Sequence, residues 1–332
     1  MKVGLSLGIS PREPIKHAVE VVCNAEKLDF DAAYITDVQL SMKDSGAAMT
    51  LAAVKTDKIK IGSGVTNPIT RHPSVLACQF SGLQELSNGR GIMGIGTGWT
   101  SVYSIGLKPS NIKYLEDSIR DIKTLCDGGE VEGMDGKTYR LTIANGRFPI
   151  FVGANQPRIL KMCGRVADGV ILMGGANLEF TQWQMDLVKE GAMEVGRDVN
   201  DIEFHLWAAI GINKSLAQSR DDVSHWAASQ AETFSKWRVL PDFLTRFKHD
   251  FDTVSESYDR SKHLSSQAGH KRLISDEFID WVALTGDGDG CLNQIKGLEK
   301  LGLDGITLSF RAGAGGRQAR MEEIHSQIIS KL

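Results

Sequence analysis

The residues of this chain that could do chemistry stand in short loops, each following an apolar run. Thr36-Asp37-Val38 is the first, and Asp37 is the sole carboxylate of the early loops. From spacing alone, Asp37 caps the following helix or meets a cofactor. Gly62-Ser63-Gly64-Val65-Thr66-Asn67-Pro68 comes next, with Thr70-Arg71-His72-Pro73 behind it. Then follow Gly94-Ile95-Gly96-Thr97-Gly98-Trp99, Gly153-Ala154-Asn155-Gln156-Pro157-Arg158, and Met173-Gly174-Gly175-Ala176-Asn177. Glycine admits positive φ and lets a flat ligand approach main-chain amides closely. One such loop merely turns the chain. Several on one rim point to a large planar cofactor that carries a phosphate. The Gly153–Arg158 loop opens a helix, whose free amides suit a phosphate, although an ordinary cap has the same appearance. Trp99 either walls a pocket or packs.

Other chemistries find little footing. The eight histidines, at 17, 72, 205, 225, 249, 263, 270 and 325, form no HExxH. Asp287-Gly288-Asp289-Gly290 starts like a calcium loop, but Cys291 stands where the third oxygen ligand belongs. No metal site is expected. Neither GxSxG nor GxxxxGK[ST] occurs. The cysteines at 23, 78, 126, 163 and 291 form no CxxC and are odd in number, which argues against a disulfide scaffold or zinc ribbon. They read as small thiols in a reducing cytoplasm. A net charge of −3 offers no field for nucleic acid or an anionic membrane. Apolar runs break too early to span a bilayer. The Met1–Gly8 stretch lacks the apolar core of a signal peptide, so a cytoplasmic protein is expected.

The elements that must position these loops alternate. Strands are predicted at Val3–Leu7, Ala33–Thr36, Ile59–Gly62, Gly91–Gly96, Ile150–Val152, Gly169–Leu172, Ile202–Ile212 and Gly305–Phe310. Helices are predicted between and after them, the last two at Leu292–Leu301 and Gln318–Ile329. A hairpin is predicted over Val131–Ile143, turning at Met134-Asp135-Gly136-Lys137. Eight strand–helix units predict an α/β chain folded as one (β/α)8 TIM barrel across residues 1–332. An open dinucleotide-binding sheet would want GxGxxG after the first strand, where Gly8-Ile9-Ser10-Pro11 stands instead. Residues 214–280 break the rhythm and read as an insertion after strand seven. It contains a helical Val223–Trp237 and a Ser/His/Lys-rich Ser255–Arg272. Such an insertion lies over the C-terminal mouth, or serves as a dimerisation element. Its His225, His249, His263, His270, Lys271 and Arg272 read as a solvated basic surface or a polar-substrate contact.

Further motifs complete the pattern: Tyr34-Ile35-Thr36-Asp37, Glu85-Leu86-Ser87-Asn88-Gly89-Arg90, Gly164-Arg165-Val166-Ala167-Asp168-Gly169-Val170, and Leu298-Glu299-Lys300-Leu301-Gly302 after Gly286. In this order, with the loops above, the chain resembles the luciferase-like superfamily of flavin and deazaflavin enzymes over nearly its full length. The nearest likeness is to the coenzyme F420-dependent methylenetetrahydromethanopterin reductases. The resemblance implies a dimeric barrel with the cofactor in its C-terminal mouth. It implies a non-proline cis peptide at Gly64–Val65, in a bulge that backs and bends the cofactor ring. By the same match Asp37, Asn67, Thr97 and Gly98 would meet the ring or its side chain. Gly153, Asn155, Gln156, Arg158 and Ile159 would hold the phosphate. Arg158, Lys161 and Arg165 would meet an acidic tail, or form a solvated helix face.

The chain also departs from that pattern. Val38 stands where many relatives have histidine, Trp99 where some have glutamate, and Ser6 where the pterin reductases have glutamate. Asp37 and Trp99 are left as the catalytic candidates. The reading is an oxidoreductase passing hydride between reduced coenzyme F420 and a small organic substrate. The alternatives are a monooxygenase using reduced FMN and O₂, and a non-catalytic relative. The expected partners are a second copy and a separate cofactor-reducing enzyme.

Overall fold

The computed structural model describes residues 1–133, 135–143, 146–257, 273–313 and 315–332. The apolar runs form eight parallel strands: β1 (Lys2–Leu7), β2 (Ala32–Ile35), β3 (Lys60–Ser63), β4 (Gly91–Ile95), β5 (Ile150–Ala154), β6 (Gly169–Leu172), β7 (Glu203–Ile212) and β8 (Gly305–Ser309). Each pairs with the next, and β8 pairs back onto β1, so the sheet closes into a barrel. Side chains alternate across each strand, as a pleated strand requires. Val3, Leu5, Ala33, Ile35, Val152, Leu206 and Leu308 join the core under the surrounding helices. Tyr34, Ile92, Phe151, Ile171 and Trp207 belong to a second core that fills the barrel.

The helices are α1 (Ile15–Lys27), α2 (Ser45–Lys55), α3 (Pro73–Ser87), α4 (Ile112–Cys126), α5 (Pro157–Val166) and α6 (Leu178–Met193), then α7 (Leu216–Phe234), α8 (Lys248–Ser257), α9 (Asp276–Val282), α10 (Gly288–Glu299) and α11 (Gly316–Gln327). Helix α10 starts four residues before the predicted Leu292. The Asp287 carboxylate accepts from Gly290 N at 2.9 Å and caps it there, so the calcium-like tetrad is a helix start. The hairpin strands Glu130–Glu132 and Thr138–Arg140 are antiparallel, and Met134 of their predicted turn lies outside the described residues. Cys126, Cys163 and Cys291 are buried, Cys78 is exposed, and all five thiols are free. No helix among the described residues is long and apolar enough to cross a membrane.

At the base of the barrel one device recurs. Asp31, Asp168 and Asp304 immediately precede β2, β6 and β8. Their carboxylates accept from Val3 N, Ile150 N and Phe204 N at 2.7, 2.9 and 2.8 Å, each on the neighbouring strand. Beside them Glu203 accepts from Lys2 Nζ at 2.9 Å and bonds His205 Nε2 at 3.0 Å. The His205 contact, helped by Lys2, holds the Glu203 carboxyl at about 2, against the opposing effect of burial.

Between β7 and α10 the chain forms α7, α8, α9 and the short strand Leu284–Gly286, which pairs with the end of β7. The strand was not expected from sequence. Phe234, Phe247, Phe251, Phe278 and Trp281 of this segment join the barrel-filling core, with Phe180 of α6 5.4 Å from Trp281. Residues 258–272, including His263, His270, Lys271, Arg272 and most of the predicted Ser255–Arg272 stretch, lie outside the described residues.

Candidate functional site

The mouth is organised by the loop that leaves β3. Its Gly64–Val65 peptide is cis. Thr66 N donates to Gly94 O at 2.8 Å, and Thr66 O accepts from Gly96 N at 2.9 Å. These bonds stitch the bulge to β4 and set Val65 among the mouth glycines. A Cβ on Gly94, Gly96 or Gly153 would lie 3.1, 3.2 or 3.6 Å from a Val65 methyl. At Gly64 a Cβ would lie 2.6 Å from Trp207 Cη2, so only glycine fits between the bulge and the barrel core.

Asp37 locks this loop from behind. It is buried and accepts from Ser45 Oγ at 2.9 Å and Thr66 Oγ1 at 2.7 Å, and it pairs with Arg71. Asn67 is fully buried. Its amide donates to Ser101 Oγ at 3.0 Å and accepts from Ile69 N and Thr70 N at 3.1 and 2.9 Å. It lies directly under Gly98, whose φ of +85° and closeness to Asn67 both demand glycine.

Above this floor opens a cavity of 1070 Å³. Its volume lies at the upper end for ligand sites, which run to roughly 1,000 Å³. One wall is Thr97 and Trp99 after β4, continued by Asn111 to Tyr114 at the start of α4. The next is Gly153, Asn155, Gln156, Arg158 and Ile159, from the end of β5 into α5, with Met173 beside them. The third is a polar face of α7 and its exit: Ser229, Gln230, Thr233 and Lys236, with Trp226.

The start of α5 is the chemically open point. Pro157 stands at its first turn, and Gln156 makes no side-chain cap. By contrast α4 and α6 are capped by Asn111 and Asn177. Uncapped amides at a helix start carry partial positive charge and suit an anion. Arg158 sits beside them on the cavity wall, and among the described residues no hydrogen bond or ion pair takes up its guanidinium. Lys161 and Arg165 are engaged elsewhere. Lys161 binds Glu190 at 2.7 Å, while Arg165 binds Glu116 at 2.8 Å and holds that carboxyl below the usual range.

A family model of luciferase-like monooxygenases matches residues 2–305. The chain belongs to the luciferase-like monooxygenase family. It is 26% identical to the 5,10-methylenetetrahydromethanopterin reductase of Methanolobus tindarius, over 93% of this chain and 94% of that one. It is also 26% identical to the F420-dependent glucose-6-phosphate dehydrogenase of Amycolatopsis mediterranei, over 100% and 98%. The solved coenzyme F420-dependent tetrahydromethanopterin reductase of Methanopyrus kandleri superposes with a TM-score of 0.81, at 25% identity and 99% coverage of each chain.

In this luciferase-like barrel Thr97, Trp99, Gly153, Asn155, Gln156, Arg158 and Ile159 come together around one cavity. Asp37, Asn67 and Gly98 lie behind its wall and support it. Lys161 and Arg165 face α4 and α6 through their ion pairs, in keeping with the helix-face reading. The polar face of α7 was missed. Its signal was present: Ser229, Thr233 and Lys236 repeat at helical spacing beside buried Gln230.

Proposed function

We propose that this chain is a coenzyme F420-dependent oxidoreductase that passes a hydride between the deazaflavin and a small organic substrate. The observation that carries this reading is the uncapped start of α5, with Arg158 beside it, at the edge of the large mouth cavity. An anion site opening on a cavity of this size suits a phosphorylated cofactor. The F420-dependent relatives, matched over nearly the whole chain, favour the deazaflavin. When bound, that group supplies two-electron hydride chemistry.

The chain's own residues do the rest. The α5 amides and Arg158 bind the phosphate, with Asn155 and Gln156 alongside. Val65, half-buried in the bulge, would back the flat ring. Asp37, Thr66 and Arg71 fix that bulge so that little reorganisation attends binding. The α7 face covers the substrate side, which is our reading of residues 214–280. The protein works as a homodimer supplied by a separate cofactor-reducing enzyme. Exposed Val54, Val75 and Leu86 on α2 and α3 motivate the dimer, and sedimentation velocity tests it.

A second reading, an FMN-dependent monooxygenase, has one observation in its favour. Among the described wall residues the only carboxylate is Asp117, and Lys113 neutralises it at 2.6 Å. A route through reduced flavin and O₂ needs no acid there. Anaerobic spectral titration separates the readings. The expected result is tight F420 binding without FMN binding. FMN-dependent oxygen incorporation would overturn the first reading, and binding of neither cofactor would mark a non-catalytic relative.

A further inference from the structure

Hydride addition to a neutral carbonyl, or to an alkene conjugated with one, leaves a negatively charged oxygen that must receive a proton. Few groups on the described cavity wall can provide it. Arg158 does not give up its proton at any working pH. Lys113 and Asp117 neutralise each other, and their side chains are 83% and 49% exposed at the outer rim. Tyr114 stands beside them at the start of α4, well towards solvent.

Lys236 is ion-paired as well, but it is only 32% exposed and lies against an aromatic ring of the wall. It lies just past α7, with its Nζ 5.0 Å from the centre of the Trp99 ring, next to the Thr97-Gly98 turn. It also pairs with Glu232, whose side chain is buried at 8% exposure. The aromatic face and the carboxylate together hold the ammonium at the wall. Because Glu232 cancels its charge, this point offers a proton without attracting an anion.

We propose that Lys236 is the proton donor of the reaction, and that the acceptor is an uncharged carbonyl compound or its conjugated alkene. This rests on the hydride-transfer reading above. The acceptor carbon gains a hydride from a reduced deazaflavin, which is oxidised as the acceptor is reduced. The Nζ–H bond of Lys236 breaks, and an O–H bond forms on the acceptor. The neutral amine then recovers a proton from water at the mouth.

The test pairs two acceptors on the protein loaded with reduced F420. Cyclohex-2-enone needs a proton when it takes hydride, and 10-methylacridinium does not. Lys236→Met is expected to slow the enone reaction about 100-fold, the scale of general acid catalysis, and not to slow reduction of the cationic acridinium, which the Glu232 carboxylate left behind attracts. Lys236→Arg keeps the charge and is expected not to rescue the enone rate. Spectral titration should show unchanged F420 affinity in both variants. In cofactor-free protein, Lys236→Met should change the Trp99 emission, and a Trp99→Phe background should abolish that change. An unchanged enone rate, an equal loss with both acceptors, or a Trp99 signal indifferent to Lys236 would overturn the proposal. Wild-type protein that binds F420 but reduces neither acceptor, or that does not bind F420, would instead overturn the hydride-transfer reading.

Discussion

At the base of the barrel, Asp31, Asp168 and Asp304 each take an amide from the neighbouring strand, and Lys2, Glu203 and His205 satisfy one another. At the mouth, the α5 amides lack a cap, and Arg158 faces a cavity without a partner among the described residues. The same eight strands carry both ends. The difference teaches where free energy is committed. The base pairs its carboxylates within the chain and so contributes stability, although the buried Tyr34 hydroxyl there has no hydrogen-bond partner among the described residues, while the mouth leaves donors open for a ligand. Substitutions that respect this division should alter either stability or binding. Asp37 tests the boundary, because it is closed like the base but lies at the mouth.

The largest effect is expected from Asp37→Asn. Removing one partner of a buried ion pair costs about 3–5 kcal/mol, so thermal unfolding should shift down sharply. F420 affinity should fall with it as the bulge loosens. A stable variant with full affinity would show that Asp37 locks nothing.

Arg158→Met comes next and separates the two ends. Losing a charge-assisted bond of roughly 1.5–3 kcal/mol predicts about a tenfold to hundredfold weaker F420 binding, with no change in melting temperature. A melting shift without an affinity loss would move Arg158 into the structural class.

Glu203→Gln should do the reverse, lowering stability by about 1 kcal/mol once solvent screening is allowed for, with F420 affinity intact. The wild-type pH dependence follows from the same group. Its carboxyl lies at about 2 in the fold, below the usual 4.5. Its stabilisation is therefore complete above the ordinary carboxylate range and is lost as pH falls from about 4.5 towards 2. Acid melts of wild type and variant should converge across that window. Smallest of all, Lys161→Met should leave F420 affinity unchanged, because its ammonium is spent on Glu190.

Much of the barrel was legible in the sequence because its signals are local. Apolar runs of strand length alternate with helical periods, and the glycines mark the ends where Val65 approaches. The α5 start was equally readable, since Gly153 to Arg158 are contiguous. What stayed hidden depends on distant partners. Asp37 stands between Thr36 and Val38, which say nothing of Arg71, and two of its three donors, Thr66 and Arg71, arrive only when the β3 loop folds back. Lys236 reaches Trp99 across more than a hundred residues, and no spacing rule predicts that contact. The cap at Asp287 stayed hidden because oxygen-rich turns serve helix caps and metal loops alike, and α10 begins four residues before the expected Leu292.

The short strand Leu284–Gly286 has a further consequence. Asn213 N donates to Gly286 O at 2.8 Å, while Gly286 N donates to Ser219 Oγ at 2.8 Å, and that hydroxyl donates to Gly211 O at 2.7 Å. The chain that departs from β7 is thus fastened back to its own point of departure before α10 begins. With both ends clasped together, lengthening the intervening excursion costs only about 0.6 kcal/mol per doubling. The excursion that carries Lys236 therefore hangs from a single fastened point, so its length is set almost independently of the barrel that bears it.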